Sequence, residues 1–341
     1  AEAWRDSLHR LADRLPGPAM LSFRPRQTMT RYAGMAAGWL ARCGMVVPAQ
    51  RILITNGTTP AMYVALMTAV RPGDIIATES STCHTLKPAA QYLQARLRGI
   101  EGDERGMLPE ALMAAARASG GRMTTLFLLP SGAGPFARIV DRERRAALAA
   151  AAVEAGLTIL ENDVTGPVSP RRPPPVASFA PEHSLYFTSL TKCLSPGLRL
   201  GFLVLPERLA EQALNRHLSI AWMATPLMAE IAADWIENGI ADRLIAAQRA
   251  ELASRNRLAQ RLLGGRGQGF PHGLHRWLPL PEGTNEQALL AEALRHDLAL
   301  APGAGFAVID SAPALRVSLG GASLPDLEQG LSTLARLLPA G

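Results

Sequence analysis

Six short, nearly continuous apolar runs, separated by segments of helical character, constrain this chain more than any other feature. They cover residues 51–55, 74–78, 124–129, 157–161, 185–189 and 199–205. A strand covered on both faces has no solvated side, so unbroken Val/Ile/Leu/Phe runs predict a mainly parallel sheet. Between the runs, Pro60 fits the first turn of a helix extending to about Val70. Asp141 reads as the N-cap of an alanine-rich helix that stops at Gly156. Strands alternating with helices predict an α/β/α sandwich.

The pattern changes after Pro206. Helices dominate to about Leu263, interrupted at Pro226 and Gly239, and the glycine-rich stretch 264–273 reads as a loop. Short elements return at 275–279, 285–296, 298–301, 314–318 and 326–338, which predicts a second, small α+β unit. A chain of 341 residues exceeds one ordinary core. The expected division is a large domain over 36–254 and a small domain made of 1–35 and 255–341.

Composition excludes several classes. At 48% hydrophobic residues the chain is not disordered. No apolar run reaches the ~18 residues that span a bilayer. Residues 1–15 carry acids and bases throughout, so no signal peptide is expected there. Cys43, Cys83 and Cys193 are far apart and odd in number, which suggests a reducing, cytoplasmic setting. The seven histidines are dispersed and no metal is expected. Net charge is +6, but the bases are scattered among acids. The dense clusters, Arg142-Glu143-Arg144-Arg145 and Arg171-Arg172, lack interleaved aromatics and make a weak nucleic-acid surface.

In open α/β sheets, ligands bind at the carboxyl ends of the strands. Asn56-Gly57-Thr58-Thr59-Pro60 follows one strand and opens a helix, a place suited to a phosphate and equally to an ordinary turn. Glu161-Asn162-Asp163 ends another, and Asp163 is either a ligand to a ring nitrogen or a helix cap. Ser189-Leu190-Thr191-Lys192 and Arg199 stand between two apolar runs. Lys192 is there an amine placed for a Schiff base, or else a loop lysine; Ser189 and Arg199 supply a hydroxyl and a charge for a phosphate. Arg316, within the apolar stretch 314–318, is a carboxylate fork or an edge arginine.

On these residues the chain resembles the class I/II aminotransferases of the pyridoxal-phosphate (PLP) fold type I, over nearly its whole length. The resemblance implies a seven-stranded-type, mainly parallel sheet in a large domain, a small α+β domain, and PLP as cofactor. It places Lys192 at the Schiff-base lysine, which would also serve as a catalytic base, and Asp163 at the pyridinium partner. Ser189 and Arg199 fall at the phosphate ligands, Gly57, Thr58 and Thr59 in the phosphate loop, and Arg316 at the clamp for an amino-acid-like ligand. Departures fall around the phenolic oxygen. Gly134 stands where the family has Asn, Thr165 where it has Tyr, and Cys83, beside His84, where an aromatic stacks on the ring.

More narrowly, residues 189–201, His275-Arg276-Trp277-Leu278-Pro279, Trp235-Ile236-Glu237-Asn238-Gly239 and Gln248-Arg249-Ala250-Glu251 resemble the aminotransferase-like domain of MocR-type (GntR-family) transcriptional regulators. That likeness implies an effector-sensing and dimerisation domain that reaches DNA only through a helix-turn-helix module absent from this chain. A stand-alone aminotransferase is the alternative, and a fold that has lost its cofactor is a third reading. A homodimer is expected, with Arg24, Arg26 and Tyr32 as candidate cross-subunit contacts.

Overall fold

A computed structural model describes residues 2–15, 17–23, 26–309 and 312–339; Arg24 lies outside them, as does the side chain of Arg26. Three helices come first, α1 (Glu2–Ala12), α2 (Gly17–Leu21) and α3 (Arg26–Arg42). Strands and helices then alternate through β1 (Ile52–Thr55), α4 (Thr58–Ala69), β2 (Ile75–Glu79), α5 (Leu86–Tyr92) and β3 (Arg96–Ile100). A short ribbon, β4 (Gly102–Asp103) with β5 (Gly106–Met107), leads to α6 (Pro109–Ala118), β6 (Met123–Leu128), α7 (Arg142–Glu154), β7 (Thr158–Asp163), β8 (Ser184–Ser189) and β9 (Gly201–Val204). Helices α8 (Glu207–Ala221), α9 (Pro226–Glu237) and α10 (Ile240–Leu262) follow. The chain continues with β10 (His275–Pro279), α11 (Glu286–Arg295), β11 (Ala301–Pro302), β12 (Ala314–Ser318) and α12 (Leu324–Leu337).

All six apolar runs contribute strands to one seven-stranded sheet of order β1-β9-β8-β7-β6-β2-β3, in which only β9 runs antiparallel to its neighbours. The seventh strand, β3, is absent from the sequence reading for a physical reason. Arg96-Leu97-Arg98-Gly99-Ile100 lies at the sheet edge with its arginines exposed, so it alternates instead of forming a run. On one face Phe127, Leu160, Phe187 and Leu203 pack under Ala61, Met62 and Ala65 of α4. On the other, Leu126 and Ile159 meet Leu148 and Ala149 of α7, while Tyr186 and Phe202 meet Trp39 of α3 and Trp235 of α9. Asp141 caps α7 as expected, its carboxylate accepting from the Arg144 N–H at 2.9 Å.

Helix α1 packs on α9. Trp4 meets Trp235 edge-on at 5.3 Å, and Asp234 receives the Ser7 hydroxyl at 2.5 Å and pairs with Arg10 at 2.6 Å. The antiparallel sheet β10-β12-β11 has its own core, in which Leu278, Leu315 and Val317 pack against Leu331 and Leu334 of α12 and Leu258 of α10. Helix α10 therefore reaches both sheets. Near its middle Gln248 donates to the Lys192 carbonyl at 2.7 Å, and Arg249 to the carbonyls of Pro167 and Val168 at 2.5 and 3.0 Å. Further along, Arg255 donates to the carbonyls of Leu319 and Ala322, and Asn256 to that of Gly273. Among the described residues no helix is long and apolar enough to cross a membrane.

Candidate functional site

The carboxyl ends of β1, β2, β6, β7 and β8 lie along one edge of the sheet, where the polar residues singled out in the sequence collect. Gly57 follows β1 with φ 98°, and a Cβ there would stand 3.0 Å from Arg199 Nη2. Gly201 opens β9 so close that its Cβ would fall 2.7 Å from the Gly57 carbonyl carbon. Only glycines let these strand ends meet. Arg199 itself is not in a strand. It takes a left-handed conformation, φ 45°, after the turn Pro196–Leu198, which brings its guanidinium onto Gly57. Thr58 opens α4 and Thr59 is exposed beside it, so the first N–H groups of the helix and the Arg199 charge face the same place.

Ser189 ends β8 fully buried, yet its Oγ has no hydrogen-bond partner. The same holds for Oγ of Ser81, Oγ1 of Thr191 and Oδ1 of Asn162. Each unmade bond costs about 1–3 kcal/mol, so atoms of this kind mark places where a ligand's polar groups belong. The site fits a phosphate-bearing cofactor on this ground. Lys192 stands on the turn after β8. Its carbonyl is fixed by Gln248, while its side chain is exposed and not buried between the apolar strands.

Asp163 is wholly buried and fully engaged. Its carboxylate accepts from the Gly166 N–H at 3.1 Å and from the Tyr186 hydroxyl at 2.6 Å, and it pairs with Arg172 at 2.5 Å. The carboxylate raises the Arg172 guanidinium above its ordinary value against the opposing effect of burial; burial, with Asp163 adding to it, drives the Tyr186 phenol well above its own. Burial first, and then Asp163, raises the thiol of nearby Cys43 to about 12, so that thiol is inert.

Arg316 on β12 is half-buried, and burial lowers its pKa. Its Nη2 lies 3.2 Å from His275 Nδ1, and His275 Nε2 lies 2.9 Å from the Gly134 carbonyl. A carbonyl only accepts, so Nε2 carries the proton and Nδ1 accepts from Arg316. Burial, and then the charge of Arg316, lowers His275 to about 4, keeping it neutral. The guanidinium also lies 5.6 Å over Phe306, which packs edge-on against Trp277, and Trp277 against Phe136. Gly134, which lacks the side chain the family carries there, thus offers its backbone to the arginine's support.

The remaining candidates are spent locally. The Thr165 hydroxyl donates to the Ser131 carbonyl at 2.6 Å. Cys83 is half-buried and accepts from Thr85, while exposed His84 packs edge-on against Phe306. Tyr32 is buried and donates to Glu230 at 2.7 Å within its own chain. Asn162, His275, Arg172 and Gln248 were not singled out as site residues from the sequence. The two-residue alternation along β7 is the signal that separates Asn162 from Asp163.

The large sheet, the small sheet and the cleft at the strand ends define an α/β protein of the PLP-dependent transferase fold type I. The chain belongs to the aminotransferase class I and II family, whose model matches residues 36–334. That family and fold are PLP-dependent. The chain is 30% identical over 303 residues, 88% of its length, to the uncharacterized HTH-type transcriptional regulator YdeF of Bacillus subtilis. It is 24% identical over 340 residues to 2-aminoadipate transaminase of Thermus thermophilus, covering 94% of this chain and 82% of that one. It spans 65% of YdeF and 64% of a second B. subtilis HTH-type regulator, YdfD. Among solved structures, kynurenine aminotransferase of Pyrococcus horikoshii superposes with a TM-score of 0.90 at 20% identity, covering 98% of this chain and 86% of that one.

Proposed function

We propose that this chain binds PLP through Lys192 Nζ and serves as the effector-sensing and dimerisation domain of a MocR-type transcriptional regulator. The carrying observation is the meeting of Gly57, Thr58 and Arg199 beside the unpartnered Ser189 hydroxyl and the exposed Lys192. PLP, when bound, supplies an electron sink conjugated to the amine it holds. Gly57, Thr58 and Thr59 offer backbone and hydroxyl donors to the phosphate, Arg199 its charge and Ser189 its hydroxyl. Arg316, held by His275, grips the carboxylate of an amino-acid-like ligand. Cys83, standing where the family has an aromatic, would offer the ring no stacking face. Thr165, whose proton is given to Ser131, donates nothing to the phenolic oxygen.

We assign 36–254 to the PLP-binding unit and 255–341 to the smaller one; residues 2–12, expected in the small domain from the sequence, we move to the former because α1 packs on α9. The 30% identity to an HTH-type regulator and the missing phenolic-oxygen donors support the regulator reading. The exposed Lys192 beside a carboxylate fork supports a stand-alone aminotransferase as the second reading, with Lys192 moving the proton.

The test is absorption spectroscopy with added PLP. Wild type is expected to gain a visible band that borohydride abolishes while leaving the pyridoxyl group covalently fixed on Lys192, and Lys192→Ala to gain none. A band of equal strength in the variant would remove Lys192 from the site. Amino acids should shift the wild-type band and leave that of Arg316→Ala unshifted at the same concentration. A native reading frame with no helix-turn-helix before this chain would overturn the regulator reading in favour of the enzyme.

A further inference from the structure

We propose that Asn162, and not the neighbouring Asp163, is the residue this chain presents to the cofactor's ring nitrogen, which is thereby kept unprotonated. The inference rests on the reading of the cleft as a PLP site.

Strand geometry separates the two side chains. Asn162 pairs with Phe187 across the β7–β8 ladder, and Asp163 pairs with Thr188. Successive residues of a strand face opposite sides, and directly paired residues face the same side. Phe187 packs under α4 with Phe127 and Leu160, and Ser189 lies two residues further along the same face. Asn162 therefore shares its side of the sheet with Ser189 and with the helix whose first turn adjoins Gly57 and Arg199. Asp163 and Thr188 face the other side, where Thr188 Oγ1 and the thiols of Cys43 and Cys193 crowd around Gly166.

Hydrogen bonding agrees. The Asp163 carboxylate is taken by Gly166, Tyr186 and Arg172. Turning it toward the cleft would strand Arg172, whose Nε and Nη2 are already buried without partners. Asn162 is 6% exposed and its Oδ1 has no partner. Of the two residues that close β7, it is the one with a polar atom left to offer.

The chemistry of the two residues differs. A carboxylate stabilises a pyridinium by charge. An amide carries none; flipped about its Cβ–Cγ bond so that Nδ2 takes the place of the unpartnered Oδ1, it donates to the lone pair of a neutral pyridine. With Asn162 at that position the ring remains a weaker electron sink, while the covalent anchor, the phosphate grip and the carboxylate fork are unaffected. The cleft is then suited to holding an amino ligand more than to breaking its α-C–H bond.

The test uses PLP labelled with 15N at the ring nitrogen, bound to wild type, Asn162→Asp and Asp163→Asn. The wild-type resonance is expected at the position of a neutral pyridine. Asn162→Asp should move it toward pyridinium and raise α-hydrogen exchange of a bound amino acid in heavy water by about tenfold or more. Asp163→Asn should leave the resonance unmoved. If that variant does not fold, wild type and Asn162→Asp decide alone. A pyridinium resonance in wild type overturns the proposal. Failure of wild type to take up PLP on Lys192 overturns the reading of the cleft itself, a result visible before any resonance is assigned.

Discussion

At the scale of single residues, the anchor points proposed for the cleft were picked out by their places in sequence: Ser189 and Lys192 close one apolar run, Gly57 follows another, and Arg199 opens a third. Facing was not legible: Asp163 is the more reactive of two adjacent residues, and only the ladder register shows which side each serves. Gly201 was equally silent, since its role is to have no side chain within 2.7 Å of Gly57. Gly201→Ala must push the Gly57 turn aside. We expect PLP affinity to fall by about tenfold, roughly 1.4 kcal/mol, in a spectroscopic titration, with far-UV circular dichroism unchanged. Arg172→Met leaves a buried carboxylate without its counter-charge. Unfolding in urea should show a loss of about 3–5 kcal/mol.

At the scale of elements, the strands that build the cleft were found as runs, and β3 was missed because an edge strand alternates. His275 was seen only as part of a resemblance. It sits on β10 while Arg316 sits on β12, and a contact between antiparallel neighbours 41 residues apart leaves no local mark in sequence. His275→Leu frees the guanidinium, and the affinity for an amino-acid ligand should drop about tenfold. His275→Gln, which can both donate and accept, should recover part of it. The pH behaviour follows from the same contact. The folded imidazole titrates near 4, below the ordinary 6.5 of the unfolded chain. Its contribution to stability is therefore complete above 6.5 and lost as pH falls toward 4. Denaturation across that window should show a shallower acid loss in His275→Gln than in wild type.

At the scale of the whole molecule, the formal charge of +6 misleads about surface. Arg144 and Arg145 are buried, and the Arg172 side chain is nearly so. Arg145 lies 3.8 Å from the buried Glu161 and donates to the carbonyls of Val140 and Pro130. Within the two clusters, Arg142 and Arg171 are exposed while Arg144, Arg145 and most of Arg172 are interior scaffolding. Burial raises Glu161 to about 7 despite Arg145. The folded state then holds a proton that the unfolded chain releases near 4.5, so stability falls as pH rises from about 4.5 through 7, with a slope of up to about 1.4 kcal/mol per pH unit. Glu161→Gln should flatten that slope, whatever its effect on absolute stability. Because His275 pushes the other way below 6.5, the wild-type profile conceals both contributions there, and only the pair of variants measured together separates them.

Helix α10 adds a mechanical consequence. Its 23 residues are fastened to the lysine turn at one point and to the small sheet at another, with a left-handed glycine, Gly239, at its near end. From Gln248 to Leu262 is about 21 Å of rigid rod. A tilt of about 5° at the lysine turn sweeps the far end through roughly 2 Å, close to the displacement at which one packed helix slides past another. The turn that carries Lys192 is thus the short arm of a lever whose long arm ends in the core of the small sheet.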